Sequence, residues 1–401
     1  MSDDPETWQT DSSRPTAMPV YLDNHATTRV DPRVVTAMLP YFDELFGNAA
    51  SINHSYGTEA AGAVAEARRQ IAGLLNAPPE TIVFTSGGTE SNNLALKGVL
   101  AGARPGSHLI VCAAEHRSVL DPARRLARRG CELTIVPVDR YGQVDPQSVA
   151  DAIRPGTALV SAMLANNEVG TINPVAEIAA VCRAHNVPVH CDAVQAIGKI
   201  SVDVVALGAD LISLSAHKLY GPKGTGALYV RDGDPPIRIE PLLDGGGHER
   251  RLRSGTLAVP LIVGFGEACR LAREVLSQEA AEIGTLRDRL WDGFCERLSG
   301  IALNGHPTDR LPGNLNVSFA GVDGEQLMNG LSQIAVSSGS ACTSADPEPS
   351  HVLRAMGVPE SLSKASLRFG LGRFNTAADV DLAIEHVAEV VERLRQHSST
   401  H

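Results

Sequence analysis

The 401-residue chain contains no apolar run approaching the length needed to cross a bilayer, so no membrane-spanning segment is expected. It also lacks an excess of basic residues. With 46 acids against 35 bases the net charge is −11, which argues against a protein that grips nucleic-acid phosphates. Paired cysteine spacing is missing too. Seven cysteines, an odd number with no CxxC, argue against a disulfide framework or a structural zinc site, and no metal is expected. Cys112, Cys131, Cys182, Cys191, Cys269 and Cys295 fall in apolar or helical patterns and read as buried structural thiols. The opening MSDDPETWQTDSSRPTAMP is acidic and polar, which fits neither a secretory signal nor a basic transit peptide. Residues 1–18 read as a disordered tail, and the cytoplasm is the expected compartment. No Walker lysine follows the glycine turn at Gly87, and the GPKGTGA turn at Gly221 fails the same pattern, so nucleoside triphosphate binding is not expected.

What is there is an ordinary globular composition, 43% apolar and 20% charged. The length suits one large domain and a smaller one. Asp31-Pro32 opens a helix with an acidic cap and proline at its first position. A helix over 57–75 and a strand over 82–85 follow. Strand patterns at 108–112, 132–138, 159–164, 187–191 and 211–214 then alternate with helical stretches at 93–100, 120–129 and 174–185. Such alternation predicts crossover units and an α/β fold with a mostly parallel sheet. Beyond residue 257 the pattern changes. Long helices over 263–276 and 279–298, a strand over 314–319, a helix over 325–331, a strand over 366–370 and a last helix over 377–395 make an α+β unit. The predicted organisation is a first strand within 19–30 joined to the small domain, a large domain over 31–257 and a small domain over 258–401.

Candidate chemistry gathers just past the apolar runs, where open α/β sheets bind ligands. Asp192 and Gln195 follow one run, and Ser215, His217 and Lys218 follow the next. A lysine meeting a carboxylate suggests an aldehyde cofactor held as a Schiff base, with its ring nitrogen kept protonated by the acid. Gly87-Gly88-Thr89 lies between a strand and a helix, a ready anion cradle, although an ordinary turn capped by Thr89 has the same pattern. His116 follows the strand at 108–112 and is a candidate for ring stacking or proton transfer. Arg368, in an otherwise apolar strand, is either a salt-bridge partner or a clamp on a substrate carboxylate. Cys342 lies in SSGSACTSA, a small-residue stretch that suggests an accessible, reactive thiol.

The ordered motifs YLDNHATT, TSGGTESNN, AEH, NNEVG, HCDAVQ, SAHKLYGPKG, GGGHERRLRSGT, SSGSACTSA and SLRFGLGR resemble those of NifS/IscS-type cysteine desulfurases, from about Tyr21 to the last helix. The resemblance implies the fold-type-I architecture of enzymes dependent on pyridoxal 5'-phosphate (PLP). It implies Lys218 as the cofactor lysine, Asp192 on the ring nitrogen, Gln195 on the ring's phenolic oxygen and His116 stacked on the ring as a catalytic proton shuttle, with the freed lysine amine or His116 removing the α-proton. Gly88, Thr89, Ser215 and His217 would hold the phosphate, joined by Thr256 from the second subunit of a homodimer. Asn167 and Arg368 would orient the L-cysteine substrate, Arg368 on its carboxylate, and Cys342 would take its sulfur as a persulfide. That sulfur would pass to an acceptor protein, a scaffold or another sulfurtransferase, for iron–sulfur clusters, tRNA thiolation or a thio-cofactor. Two positions depart from the common pattern: His25, where relatives often carry Tyr or Asn, and Ala216, where Gly is common. The chain ends at His401 soon after its last helix, whereas longer relatives carry an extension that docks the scaffold. Selenocysteine lyase, or another lyase or aminotransferase of the same fold, shares the lysine, the acid and the cradle and stays open as an alternative.

Overall fold

The computed structural model describes residues 18–338 and 349–398. Strand β1 (Val20–Tyr21) precedes the strands of a seven-stranded sheet: β2 (Ile82–Thr85), β3 (His108–Cys112), β4 (Glu132–Val136), β5 (Thr157–Ser161), β6 (Val189–Asp192), β7 (Leu211–Ser215) and β8 (Gly226–Val230). Their order is β2-β8-β7-β6-β5-β3-β4. Only β8 runs against the others, pairing antiparallel with β2 and β7. The expected mostly parallel α/β sheet is therefore present. β2, β3, β6, β7 and β8 are buried at every position, which explains why they read as continuous apolar runs and not as alternating strands.

A four-stranded antiparallel sheet forms from β9 (Ile301–Asn304), β10 (Asn314–Phe319), β12 (Ser337–Ser338) and β13 (Ser366–Gly370), in the order β12-β13-β10-β9. β11 (Ile334–Ala335) instead pairs in parallel with β1. Phe294 packs against Phe319 and Phe369, with ring centroids 6.0 and 5.3 Å apart. Each of these fully buried rings contributes about 1.5–3 kcal/mol of hydrophobic stabilisation.

Several local expectations change. The two long helices predicted at 263–276 and 279–298 are one, Val259–Arg297, 39 residues long. Ser277 and Gln278 interrupt the apolar face, but no glycine or proline stands there to stop the helix. Its first half packs in the core of the large sheet through Ile262, Phe265 and Cys269; its second half packs in the other core through Ile283, Leu290 and Phe294. The helix expected at 93–100 starts five residues earlier, Gly88–Ala101, and carries the glycine turn on its own N-terminus. The strand expected at 159–164 ends at Ser161, leaving Met163 to Asn167 in the connection beyond it. Among the cysteines, Cys112, Cys182, Cys191 and Cys269 are buried as expected, but Cys131 is only partly covered and Cys295 is exposed. Cys295 lies on the solvent side of the long helix, a face the apolar pattern did not distinguish.

Candidate active site

Five chain segments leave the large sheet at the same edge, after β2, β3, β5, β6 and β7, and meet around a cavity of about 570 Å³. That size is typical of a small-molecule pocket. Gly88, Thr89, His116, Asn167, Asp192, Gln195, Ser215, His217, Lys218 and Arg368 all line it. Thr256 does not. It is exposed and outside the cavity of its own chain. Cys342 lies outside the described residues.

Lys218 closes a single 3-10 turn, Ala216–Lys218, at the end of β7. Its amine donates to the carbonyls of His25 at 2.6 Å and Ala26 at 2.7 Å. His217 meets Thr27 Oγ1 through Nδ1 at 3.1 Å. Burial, then the charges of Lys218, Lys223 and Lys199, pushes its pKa down to about 4, so the ring is neutral.

The anion cradle faces Lys218 from the end of β2. Gly87 has φ of +150°, a conformation open to glycine, and caps the helix without a side-chain hydrogen bond. First-turn N–H groups have no intrahelical acceptor, and Gly88, Thr89 and Glu90 of this turn line the cavity. A Cβ on Gly88 would sit 2.6 Å from Val194 Cγ2, so a larger residue would have to displace Val194, which also lines the cavity. Glu90 supports the turn by accepting Ser86 N–H at 2.8 Å, and Arg253 Nε holds Glu90 at 2.9 Å.

Asp192 ends β6, where the backbone turns and Val194 N–H donates to Oδ1 at 3.0 Å. Its other oxygen accepts Asn92 Nδ2 at 2.7 Å. The same Asn92 nitrogen donates to Ser118 Oγ at 2.8 Å. Ser118 in turn meets His116 Nδ1 at 2.7 Å through its hydroxyl and at 3.1 Å through its backbone N–H. His116 is the N-cap of the helix Arg117–Ala127, with extended backbone and its ring nitrogen accepting as a cap. This places Nδ1 as an acceptor and the ring proton on Nε2. Burial lowers the pKa of His116, which favours the neutral ring. Behind this wall, buried Glu115 accepts Met163 N–H at 2.6 Å through Oε1. Burial, then the charge of Asp192, raises its carboxyl to about 8, so it keeps its proton at neutral pH.

Arg368 enters from β13 and joins the two halves of the site. The salt-bridge reading of it is seen in the geometry. Nη2 is paired with Asp23 at 2.7 Å and donates to Ser337 Oγ at 3.1 Å, while Nη1 donates to the carbonyl of Asn167 at 3.0 Å. Its Nε is buried with no hydrogen-bond partner among the described residues, and the side chain lines the cavity.

Four contributors around the cavity were not singled out as functional by sequence reasoning: Asn92, Ser118, His25, and Lys199, whose Nζ donates to Gln195 Oε1 at 3.0 Å. Asn92 stands inside the quoted TSGGTESNN stretch, but just ahead of the helix expected at 93–100, and only the observed start at Gly88 puts it one turn into that helix.

Comparison with known proteins agrees with this geometry. The family model described as aminotransferase class-V matches residues 20–382, and the chain belongs to that family. Cysteine desulfurase IscS of Anaeromyxobacter dehalogenans is 54% identical over 382 residues, covering 95% of this chain and 94% of the relative. The mitochondrial cysteine desulfurase of Saccharomyces cerevisiae is 50% identical over 381 residues, covering 95% and 76%. Among solved structures, a NifS-like protein superposes with a TM-score of 0.87 at 39% identity over 94% of this chain and all of the other. A structure titled SspA in complex with cysteine gives 0.79 at 36% identity, covering 89% of this chain and 100% of that one. The fold is that of the fold-type-I PLP enzymes, to which class-V aminotransferases belong.

Proposed function

We propose that this protein is a PLP-dependent cysteine desulfurase that converts L-cysteine to L-alanine and leaves a persulfide on Cys342. The observation that carries the reading is the meeting of Lys218, Asp192 and Arg368 in one cavity, from the ends of β7 and β6 and from β13. It is supported by curated relatives that bear the name cysteine desulfurase at about half identity over nearly the whole chain.

The residues fit the cofactor on three counts. There is an amine to carry it, a carboxylate opposite, and a helix N-terminus with no side-chain cap for its phosphate. When bound, PLP supplies an electron sink for charge developing at the substrate's Cα. Gly88, Thr89, Ser215 and His217 are assigned to the phosphate, with Thr256 of the partner subunit completing the cradle; its exposure fits that role and a homodimer. Asp192 is assigned to the ring nitrogen, which its charge keeps protonated. Gln195 is assigned to the ring oxygen and His116 to the ring face. Arg368 and Asn167 are assigned to the substrate, both lining the cavity, with the Arg368 guanidinium on its carboxylate. Because His116 Nδ1 accepts hydrogen bonds and Nε2 already bears the proton, Lys218 is the better base for the α-proton.

The Cys342 thiolate bonds to the substrate sulfur as the substrate's carbon–sulfur bond breaks, and L-alanine leaves with a proton in place of the sulfur. The acceptor of the persulfide sulfur is a second protein, a scaffold or sulfurtransferase, and the cytoplasm is the proposed compartment. No helix among the described residues is long and apolar enough to cross a membrane.

The test incubates PLP-replete protein with L-cysteine and measures alanine and protein-bound persulfide. Equimolar formation in the first turnover is expected. Lys218→Ala should abolish both, and Cys342→Ala should keep the cofactor's absorbance but lose both products. Alanine formation at wild-type rate in Cys342→Ala would overturn the persulfide mechanism.

A further inference from the structure

We propose that Lys199 is a positioning residue that, together with His25, locks the side-chain amide of Gln195 so that its NH2 faces the cavity as a donor. The inference rests on the cofactor reading above and adds a residue to it.

Lys199 follows Gln195 by four residues in the turns after β6. Its Nζ lies 3.0 Å from Gln195 Oε1 and 3.4 Å from His25 Nδ1. Gln195 Oε1 is also 3.0 Å from His25 Nδ1, and Gln195 Nε2 donates to the His25 carbonyl at 2.9 Å. A lysine ammonium has three donors and no acceptor. The end of the glutamine amide facing it is therefore the oxygen.

That single choice settles the rest of the cluster. With Oε1 as acceptor, His25 must donate from Nδ1, and its Nε2 is the bare nitrogen. Nε2 is the buried atom of this ring that has no hydrogen-bond partner among the described residues. Burial first, then the charges of Lys199, Arg368 and Lys218, holds His25 well below its ordinary pKa, in keeping with one ring proton. Turned over, the amide would set its oxygen against the His25 carbonyl and its NH2 against the Lys199 ammonium, one acceptor–acceptor and one donor–donor contact.

Gln195 Nε2 carries two hydrogens. One goes to the His25 carbonyl, and the second remains for the cavity that Gln195 lines. The same carbonyl receives Lys218 Nζ at 2.6 Å, so the amide and the cofactor lysine are both registered on one atom. The groups facing Lys199 are Lys218, Arg368 and His25 around the site and Glu279 from the long helix. Burial and the two cations lower the pKa of Lys199; as the ammonium it can only donate, and the His25 carbonyl, which only accepts, orients the amide the same way whichever form the amine takes.

A donor on the cofactor's ring oxygen stabilises the anionic oxygen and weakens its hold on the proton it shares with the lysine-bound nitrogen. Losing that donor raises the pH at which the bound chromophore deprotonates. The experiment is a spectrophotometric pH titration of PLP-replete wild type, Lys199→Met, Lys199→Arg, Gln195→Leu and the Lys199→Met/Gln195→Leu double variant. Lys199→Met should raise the midpoint by about one pH unit. Lys199→Arg, which also only donates, should return it towards wild type. The double variant should shift no further than Gln195→Leu alone, because Lys199 acts through the amide. A wild-type midpoint in Lys199→Met, or additive shifts in the double variant, would overturn the proposal. Lys199→Ala serves as the replacement if the Met variant is insoluble. Absence in wild type of any chromophore that Lys218→Ala removes would instead sink the cofactor reading, and this proposal with it.

Discussion

Asn92 Nδ2 lies 2.7 Å from Asp192 Oδ2, and both side chains are buried. One amide nitrogen thus ties the strand-end carboxylate to the helix that starts the anion cradle. Replacing Asn92 with Leu removes a donor from both Asp192 and Ser118 without opening a large cavity. The expected cost is about 1–3 kcal/mol of folding stability, the range for buried groups left unpaired. Urea denaturation of the apo form reads this directly, and weaker PLP retention on dialysis should accompany it.

His116 is expected to act as a neutral ring with its proton on Nε2. Burial moves its pKa below the usual 6.5, which favours the neutral ring at neutral pH. Nitrogen NMR of labelled protein at neutral pH should show Nδ1 as the unprotonated nitrogen. Kinetically, His116→Gln should retain more turnover than His116→Ala, since the amide restores an N–H donor. The ionisation of His116 in the pH–rate profile should fall below 6.5.

Glu115 gives a pH dependence of defined sign. The unfolded chain loses this proton near 4.5, while the folded carboxyl, raised by burial and by Asp192, holds it to about 8. Between those values the folded state binds more protons, so this group's contribution to stability falls as pH rises. Glu115→Gln resembles the protonated carboxyl and keeps an acceptor for Met163 N–H. The variant should therefore gain stability relative to wild type as pH climbs across that window. Chemical denaturation at several pH values checks it; a constant difference would contradict the expectation.

Glu249 anchors the segment that presents Thr256. Glu249, Arg250 and Arg251 have φ of 47°, 57° and 69°, three successive non-glycine residues in the left-handed region. Arg68 holds the Glu249 carboxylate in a fork at 2.7 and 2.9 Å, and Phe84 N–H donates to it at 2.8 Å. The Arg68 guanidinium also stacks 4.5 Å over the Phe84 ring. Arg68→Ala leaves this carboxylate without its cation and should cost about 3–5 kcal/mol. Thermal melting measures the loss, and faster proteolysis between residues 245 and 256 should localise it.

Lys218, Asp192 and Gln195 were legible because each follows an apolar strand that announces its own end. The glycine cradle was legible for the same reason, through a strand and a helix meeting at Gly87 and Gly88. Asn92 was not, since Asp192 is 100 residues away; Lys199 stands only four residues from Gln195, but the cluster is completed by His25, 174 residues from Lys199 and brought in by the fold. No local pattern carries such pairs. At the level of the fold, helix–strand alternation revealed the large sheet. The two-residue strands Val20–Tyr21 and Ile334–Ala335 are too short for periodicity to show, and the long helix was split because a polar pair was taken for a break.

That helix, Val259–Arg297, spans roughly 58 Å at 1.5 Å per residue. It is a single rigid strut seated in two separate cores. Melting either core would strip half of the strut's apolar partners and leave it poorly supported as a helix in water. The two cores are thereby coupled thermodynamically, and the cavity with Lys218 on one side and Arg368 on the other is not free to come apart one wall at a time.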